Sequence, residues 1–457
     1  MLRLHDTLSG RTVAFEPRET GRVSMYVCGP TVYDVPHLGH GRTAVVFDVV
    51  RRHLAWSGSD VTFVSNVTDI DDNIIRRAAK EDSTEPDVAR RYEQEYWDQL
   101  DRLGVLRPDR APHATEYVDK MIQLIQELIA ASHAYVVEGS GVYFAVDSFD
   151  GYGELSHRKL ADLLESAGGR VEVDEQKRSP VDFALWKAAK PGEPTWDSPW
   201  GPGRPGWHIE CAAMSLDQLG ERFDIHGGGN DLVFPHHENE RAEAEASGHA
   251  FSRYWLHSGM LNIGGEKMSK SLGNFTTLAD ALDAYDPRAL RYAMLQTHYR
   301  KPVELGPDEL VAAEKAVQSL DNMLRAADVA GVDHAAASTD GSTVGAFRDA
   351  MNDDFGTPEA LGVVFEASRE ANKALDERHL ARAASLVATV VELAGVLGIE
   401  VRTGLGERDA VIDAKVAERD AARSERDFAR SDQIRDELAR EGIVLEDTPH
   451  GTVWRRT

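Results

Sequence analysis

Short apolar runs near the N-terminus alternate with a helical pattern: Val23 to Val27, then Thr43 to Val50, then Val61 to Val64. The first and third are brief and rich in β-branched residues, which predicts strands, while the middle run places its apolar positions at helical spacing. Strand, helix, strand is the βαβ logic of a parallel sheet, whose strand ends are where phosphate ligands bind. From about 116 to 199 the pattern changes to helices around one strand, Val142 to Val146, and leaves through a Gly/Pro-rich exit, Pro199-Trp200-Gly201-Pro202-Gly203-Arg204-Pro205. The alternation resumes near Cys211 and runs to about 255. Beyond about 305 the pattern is helical, from Leu310, then Leu361 to Ala374, then Leu380 to Leu397, with Val332 to Ser342 reading as an exposed loop. The expectation is an α/β fold divided as 1–115, 116–199, 200–255, 256–304, 305–400 and 405–457. In it 1–115 and 200–255 form one sheet interrupted by an insertion, 305–400 is a helical bundle, and the last segment is a small α/β domain.

Composition narrows the function classes. A chain of 457 residues supports several domains and a substantial core. The formal charge of −26 opposes a protein that grips nucleic acid by overall positive charge, so any RNA contact must be a local basic stripe. Met1-Leu2-Arg3-Leu4-His5-Asp6 lacks the apolar core of a signal peptide, and no run approaches about 18 apolar residues. The chain therefore reads as cytoplasmic with no membrane partner. Two cysteines cannot build a disulfide framework, which points them toward other chemistry.

Two strings suit the two ends of a nucleotide triphosphate. His37-Leu38-Gly39-His40 follows the first strand and opens the first helix, so its imidazoles and Gly39 sit where helix-terminal N–H groups and the macrodipole attract phosphate. Lys267-Met268-Ser269-Lys270-Ser271 puts two ammonium groups and two hydroxyls on a Gly-flanked segment that can close over a triphosphate and neutralise charge as pyrophosphate leaves. Alone, the first would more often be a packed or capping histidine pair, and the second more often still a solvated loop. A third constellation is discontinuous: Cys28, Cys211 and, at i and i+4 on one helical face, His236 and Glu240. Two thiols, an imidazole and a carboxylate suit zinc. Spacing leaves this open, because the cysteines are far apart and His237, at i and i+3 to Glu240, competes with His236.

In this order and together, the two nucleotide strings resemble the signature motifs of class I aminoacyl-tRNA synthetases, with Leu38 where Ile is commoner. Cys28 within Tyr26-Val27-Cys28-Gly29-Pro30-Thr31-Val32-Tyr33-Asp34, Cys211 within Trp207-His208-Ile209-Glu210-Cys211, and His236 and Glu240 within Pro235-His236-His237-Glu238-Asn239-Glu240 resemble the cysteinyl-tRNA synthetases in particular. So do Asn66-Val67-Thr68-Asp69-Ile70-Asp71-Asp72, Asp182-Phe183-Ala184-Leu185-Trp186-Lys187, and the closing Gly442 to Asp447 with Gly451 to Arg455, so the resemblance covers nearly the whole chain.

The resemblance implies a Rossmann-type catalytic domain (1–115 and 200–255) with a connective insertion (116–199), a linking domain carrying the cationic loop (256–304), a tRNA-touching helical bundle (305–400) and an anticodon-binding domain (405–457). It implies one zinc per chain on Cys28, Cys211, His236 and Glu240, and ATP bound with Mg2+ by Gly39, His40, Lys267, Ser269 and Lys270. His37, His40, Lys267 and Lys270 are the expected catalytic residues, and L-cysteine, ATP and tRNA(Cys) the expected partners of a monomer. Zinc makes chemical sense here: shape alone separates cysteine from serine by only about 1–3 kcal/mol, whereas a metal that binds thiolate and not alcohol separates them further. Four protein ligands normally mark a closed site, so either the metal expands its coordination or Glu240 yields.

The remaining candidates are individually weaker. Gly29, Thr31, Thr68, Trp207 and His226 are the candidate substrate-binding residues: the threonines can bond the amine or carboxylate, Trp207 can wall the pocket, and His226 precedes Gly227-Gly228-Gly229, a close-approach loop. Asp231 is a candidate for the nucleotide sugar. Either threonine would serve equally as a strand residue and Trp207 as a core aromatic. Arg419, Arg423, Arg426 and Arg430 follow spacings of four, three and four, which aligns them on one helical face for RNA, or in a salt-bridged stripe with Asp420, Glu425 and Asp427. Trp454 is a stacking platform for a base or a half-buried strand residue. Two rival functions remain: the related zinc ligase that joins cysteine to an amino sugar in mycothiol synthesis, and an inert RNA-binding relative, against which no motif residue is missing. Gly356 in Asp353-Asp354-Phe355-Gly356-Thr357-Pro358 is a departure from the family's usual Asn, expected to touch the bundle and not the chemistry.

Overall fold

The apolar run before Cys28 becomes an interior strand, Arg22–Val27, of a four-stranded parallel sheet in a computed structural model that describes residues 1–162, 177–263, 266–267, 277–403, 410–448 and 451–456. Asp60–Ser65 lies on one side of it and Ile225–Gly229 on the other, with Tyr254–Ser258 at the far edge. The registers Tyr26↔Val64 and Tyr26↔His226 bring the ends of three strands level, so whatever follows them is gathered at one rim. Helix Leu38–Trp56 covers the sheet with Val45, Val46, Phe47, Val49 and Val50, each buried side chain contributing about 1.5–3 kcal/mol. Gly227 lets it pack closely: a Cβ there would come within 2.3 Å of the Phe47 ring.

The chain divides into two units, Met1–Gly306 with Asn352–Gly356, and Pro307–Met351 with Thr357–Thr457. Inside the first, an antiparallel sheet of Ala134–Val137, Gly141–Phe144, Phe183–Ala188 and Gly203–Pro205 interrupts the parallel one in sequence. Its second strand stops at Phe144, earlier than the expected Val146, because the Val146 N–H turns to the Asp182 carboxylate at 3.0 Å. A small sheet of Leu261–Ile263, Glu266–Lys267 and Val303–Glu304 follows. The parallel sheet itself runs to Ser258, a few residues beyond the expected boundary. Asn352–Gly356 also groups with the first unit, a correction to the expectation that this motif touches the bundle: the Asp354 carboxylate is claimed there by His5 N, Tyr299 and Arg300.

The second unit carries helix Pro307–Val329, helix Gly341–Asn352 as far as Met351, and helices Thr357–Asp376 and Leu380–Val396. The second of these escaped the sequence reading, although Asp340 announces it by accepting the Thr343 N–H at 2.9 Å. Near the C-terminus, helices Ala410–Ser424 and Phe428–Arg440 pack with the hairpin Ile443–Thr448/Gly451–Arg456 around Ile412, Val416, Ile434, Leu438, Ile443 and Trp454. Among the described residues no helix is long and apolar enough to cross a membrane.

Candidate active site

Four donors from three places in the chain meet at the rim of the parallel sheet. Cys28 follows the strand Arg22–Val27, Cys211 lies in helix Trp207–Leu219, and His236 and Glu240 flank the start of helix Glu238–Ala246. Their ligand atoms all lie within 4.8 Å of one another, and all four residues are buried. Cys28 Sγ is 3.3 Å and His236 Nε2 3.0 Å from Glu240 Oε1. His237, the competitor, stands 3.9 Å from the same oxygen and turns its Nδ1 to His257 Nε2 at 2.8 Å. With Cys28 and His226 it makes a second, three-membered donor group.

The groups behind the donors orient them. His226 Nε2 pairs with Glu240 Oε2 at 2.8 Å, which leaves Oε1 facing the other three donors. His208 Nδ1 pairs with His236 Nδ1 at 2.9 Å, which leaves Nε2 for the cluster. Burial pushes the Cys28 thiol well above its usual value and Cys211 to about 11, and pulls His236 well down. A cluster of protonated thiols and neutral imidazole beside a carboxylate fits a divalent cation, which displaces the thiol protons and supplies the missing charge. Soft sulfur and imidazole donors in a set of four favour zinc among the common divalent ions.

Cys28 also lines a cavity of ≈ 210 Å³ shared with Gly29, His37, Gly39, His40 and Asp231. His37 caps helix Leu38–Trp56; its N–H donates to His40 Nδ1 at 3.1 Å and the two rings lie 3.8 Å apart. Gly39 permits this, since a Cβ would come within 2.8 Å of the His37 ring. Burial lowers His40 to about 3 and also lowers His37, against the opposing pull of Asp231. Both are therefore neutral at pH 7. His40 Nδ1 accepts, so its proton sits on Nε2, and it is as an N–H donor that His40 can meet a phosphate. Lys267 ends the strand Glu266–Lys267; its side chain, with Ser269 and Lys270, lies outside the described residues.

The substrate candidates are spread over two roles. Gly29 lies against Asn66, its N–H donating to Asn66 Oδ1 at 2.8 Å, and a Cβ there would fall 1.7 Å from Asn66 O. Thr31 and Thr68 pair as a short parallel bridge. The buried Thr68 hydroxyl donates to Glu210 at 3.0 Å and accepts from Asn66 at 3.2 Å. Half-buried Trp207 stacks on His236 with ring centroids 4.2 Å apart, while His226 is fully buried behind Glu240. Asn66, His208 and Glu210 are the members that sequence reasoning missed as functional. Each stood in a string already quoted, but only folded distances reveal them.

The C-terminal arginines do not form the expected stripe. Helix Ala410–Ser424 ends before Arg426, which takes φ +64° in the turn, and Asp427 caps a new helix by accepting the Arg430 N–H at 3.1 Å. Arg419 is buried with its guanidinium on Thr452, and Arg430 pairs with Glu418, while Arg423 and Arg426 are exposed. Trp454 is 4% exposed in the core of this small domain, so it is not a stacking platform. Phe428, 62% exposed between Asp427 and Ala429, was overlooked.

Fold and site define the class of the chain as a class I aminoacyl-tRNA synthetase. Residues 14–316 match the family model "tRNA synthetases class I (C) catalytic domain", and residues 346–402 match the DALR domain. Within that class, the chain belongs to the cysteine–tRNA ligase family. The cysteine–tRNA ligase of Alkalilimnicola ehrlichii is 51% identical and that of Halorhodospira halophila 50% identical, each over 466 residues and 100% of both chains. Among solved structures, Mycobacterium tuberculosis methionyl-tRNA synthetase in complex with methionyl-adenylate matches 83% of this chain and 90% of its own, with a TM-score of 0.60 and 16% identity. The Agrobacterium radiobacter K84 LeuRS complex with tRNA and LeuAMS matches 84% of each chain at a TM-score of 0.62 and 11% identity. At such identities these two likenesses concern the fold.

Proposed function

We propose that the protein activates L-cysteine with ATP, taken with Mg2+, to cysteinyl-adenylate and passes the cysteinyl group to the 3′ end of tRNA(Cys), releasing diphosphate and AMP. The observation that carries this reading is that Cys28 belongs at once to the four-donor cluster and to the cavity of His37 and His40. One zinc per chain, held by Cys28, Cys211, His236 and Glu240, would read the substrate sulfur as thiolate and discriminate against serine's alcohol. His226 holds Glu240 Oε2, which leaves Oε1 as the carboxylate atom that would hold the metal.

Around it, Gly29, Thr31 and Thr68 take the amine and carboxylate of the amino acid, and Trp207 walls the pocket. His37 and His40 donate N–H groups to the α-phosphate as negative charge grows there, Gly39 lets the phosphate come close, and Asp231 meets the ribose. Lys267, Ser269 and Lys270 draw off the diphosphate. Segments 1–115 and 200–255 act as the catalytic domain, with 116–199 as connective insertion and 256–304 as linking domain. The bundle 305–400 and the domain 405–457 take the tRNA, the latter with exposed Arg423, Arg426 and Phe428, since guanidinium planes and aromatic rings both stack on unpaired bases. The protein works as a cytoplasmic monomer. Amino-acid-dependent ATP–pyrophosphate exchange tests the reading: cysteine should support it and serine should fall short by about ten-thousandfold. Comparable exchange with both amino acids would refute thiol selection.

A further inference from the structure

Two consecutive non-glycine residues, Asp354 at φ +56° and Phe355 at φ +53°, occupy the left-handed region. Such strain persists only where the surroundings over-determine it, and it gathers at functional sites. Here the surroundings belong to the first unit, which the chain leaves at Gly306 and rejoins for Asn352–Gly356. The buried Asp354 carboxylate collects three donors: Oδ1 accepts from His5 N and Tyr299 Oη, each at 2.8 Å, and Oδ2 accepts from Arg300 Nε at 2.7 Å. The Asp354 N–H donates to Arg3 O at 2.9 Å. Phe355 sets its ring edge-on to His53, in the last turn of helix Leu38–Trp56, and to Tyr299.

What Asp354 holds leads to the nucleotide cavity. Tyr299 O accepts from Gly259 N at 2.6 Å, Met260 O accepts from Val303 N at 2.9 Å, and Gly259 and Met260 line the cavity. A Cβ on Gly259 would lie 2.3 Å from Lys301 O, so the two backbones are in direct contact. Val303–Glu304 then pairs with Leu261–Ile263, which pairs with Glu266–Lys267. From the other side, Arg42 of the histidine-bearing helix donates to Thr297 O at 3.2 Å and His298 O at 3.3 Å.

We propose that Asp354 is a positioning residue for adenylate formation: it locks Tyr299 and Arg300, and through them sets Gly259 and the strand Leu261–Ile263 against the helix that carries His37 and His40. The inference rests on the reading that this cavity takes ATP. Cysteine-dependent ATP–pyrophosphate exchange by the full zinc-loaded chain tests it, with the wild type measured first; if the wild type fails to exchange, the functional reading fails independently of Asp354. Asp354→Ala should lower kcat by about a hundredfold, the scale of a 1 Å misplacement, and raise KM for ATP while leaving KM for cysteine unchanged. Asp354→Asn, which keeps an acceptor for His5 N and the Tyr299 hydroxyl, should recover most of the rate. A folded Asp354→Ala with wild-type kcat and KM for ATP would overturn the proposal. So would a loss that merely tracks the titrated fraction of active sites. If Asp354→Ala does not fold, Tyr299→Phe, which removes the hydroxyl that donates to Asp354, decides: a raised KM for ATP with unchanged KM for cysteine supports the role, and wild-type values overturn it.

Discussion

His40 loses its charge to burial, and this changes what the histidine string does. An imidazolium would attract ATP at any distance, whereas a neutral ring with its proton fixed on Nε2 acts at one position only, where the proposed reading brings a phosphoryl oxygen. The expected outcome is that nitrogen-detected NMR of the imidazoles shows His40 neutral from pH 8 down to at least pH 5. A histidine of this string that protonates near 6.5 would contradict it. At the cluster, Cys211→Ser should lose bound zinc and cysteine activation together, since a hydroxyl cannot replace thiolate as a soft ligand; metal analysis alongside pyrophosphate exchange reads both. The histidine string stood out in the sequence, whereas the four converging donors came from the resemblance, because spacing alone left His236 and His237 in competition. Of the donors' orienters, His208 was not singled out and His226 was read as a substrate residue, because a histidine behind a ligand looks the same in sequence as one in front of it.

Among elements, periodicity served well wherever one face had to be buried, as in Val23 to Val27 and Leu380 to Leu397. It misled at Arg419 to Arg430, where charged residues keep helical spacing across a break that Asp427 enforces by capping the next helix. Helix Leu38–Trp56 is tied to helix Pro287–Leu295 by a buried ion pair, Asp48 with Arg291, both 1% exposed at the side chain. Asp48→Ala should destabilise the first unit by about 3–5 kcal/mol, measured by urea unfolding, because it strands a buried guanidinium. A second tie is pH-dependent. Burial alone would lower His249, but its bonds to Glu221 and Glu127 prevail and raise it. A raised folded-state value stabilises fully below the unfolded value near 6.5 and is lost as pH climbs through the folded value. The melting-temperature advantage of the wild type over His249→Gln should therefore shrink between about pH 6 and pH 8; an advantage that grows over that range would contradict the assignment.

For the whole molecule, the change to a helical pattern beyond about 305 coincides with the division after Gly306, but the return of Asn352–Gly356 to the first unit was not readable, since nothing local marks a loop as belonging to a distant sheet. The division predicts separable activities. The four donors and the histidine string lie in the first unit, so a chain ending after Arg402 should still form cysteinyl-adenylate, while charging should collapse through weaker tRNA binding. Adenylate formation measured on the same preparation shows that the truncated chain is folded. Full charging by the truncated enzyme would remove the C-terminal segment from tRNA recognition. The most direct test of the central claim is one reaction: intact zinc-loaded protein, ATP and labelled cysteine, offered tRNA(Cys) and the amino-sugar acceptor of mycothiol synthesis together. Label attached to the 3′ end of tRNA, with AMP and diphosphate released in step, is the predicted result; label on the sugar, or none on tRNA, would contradict it.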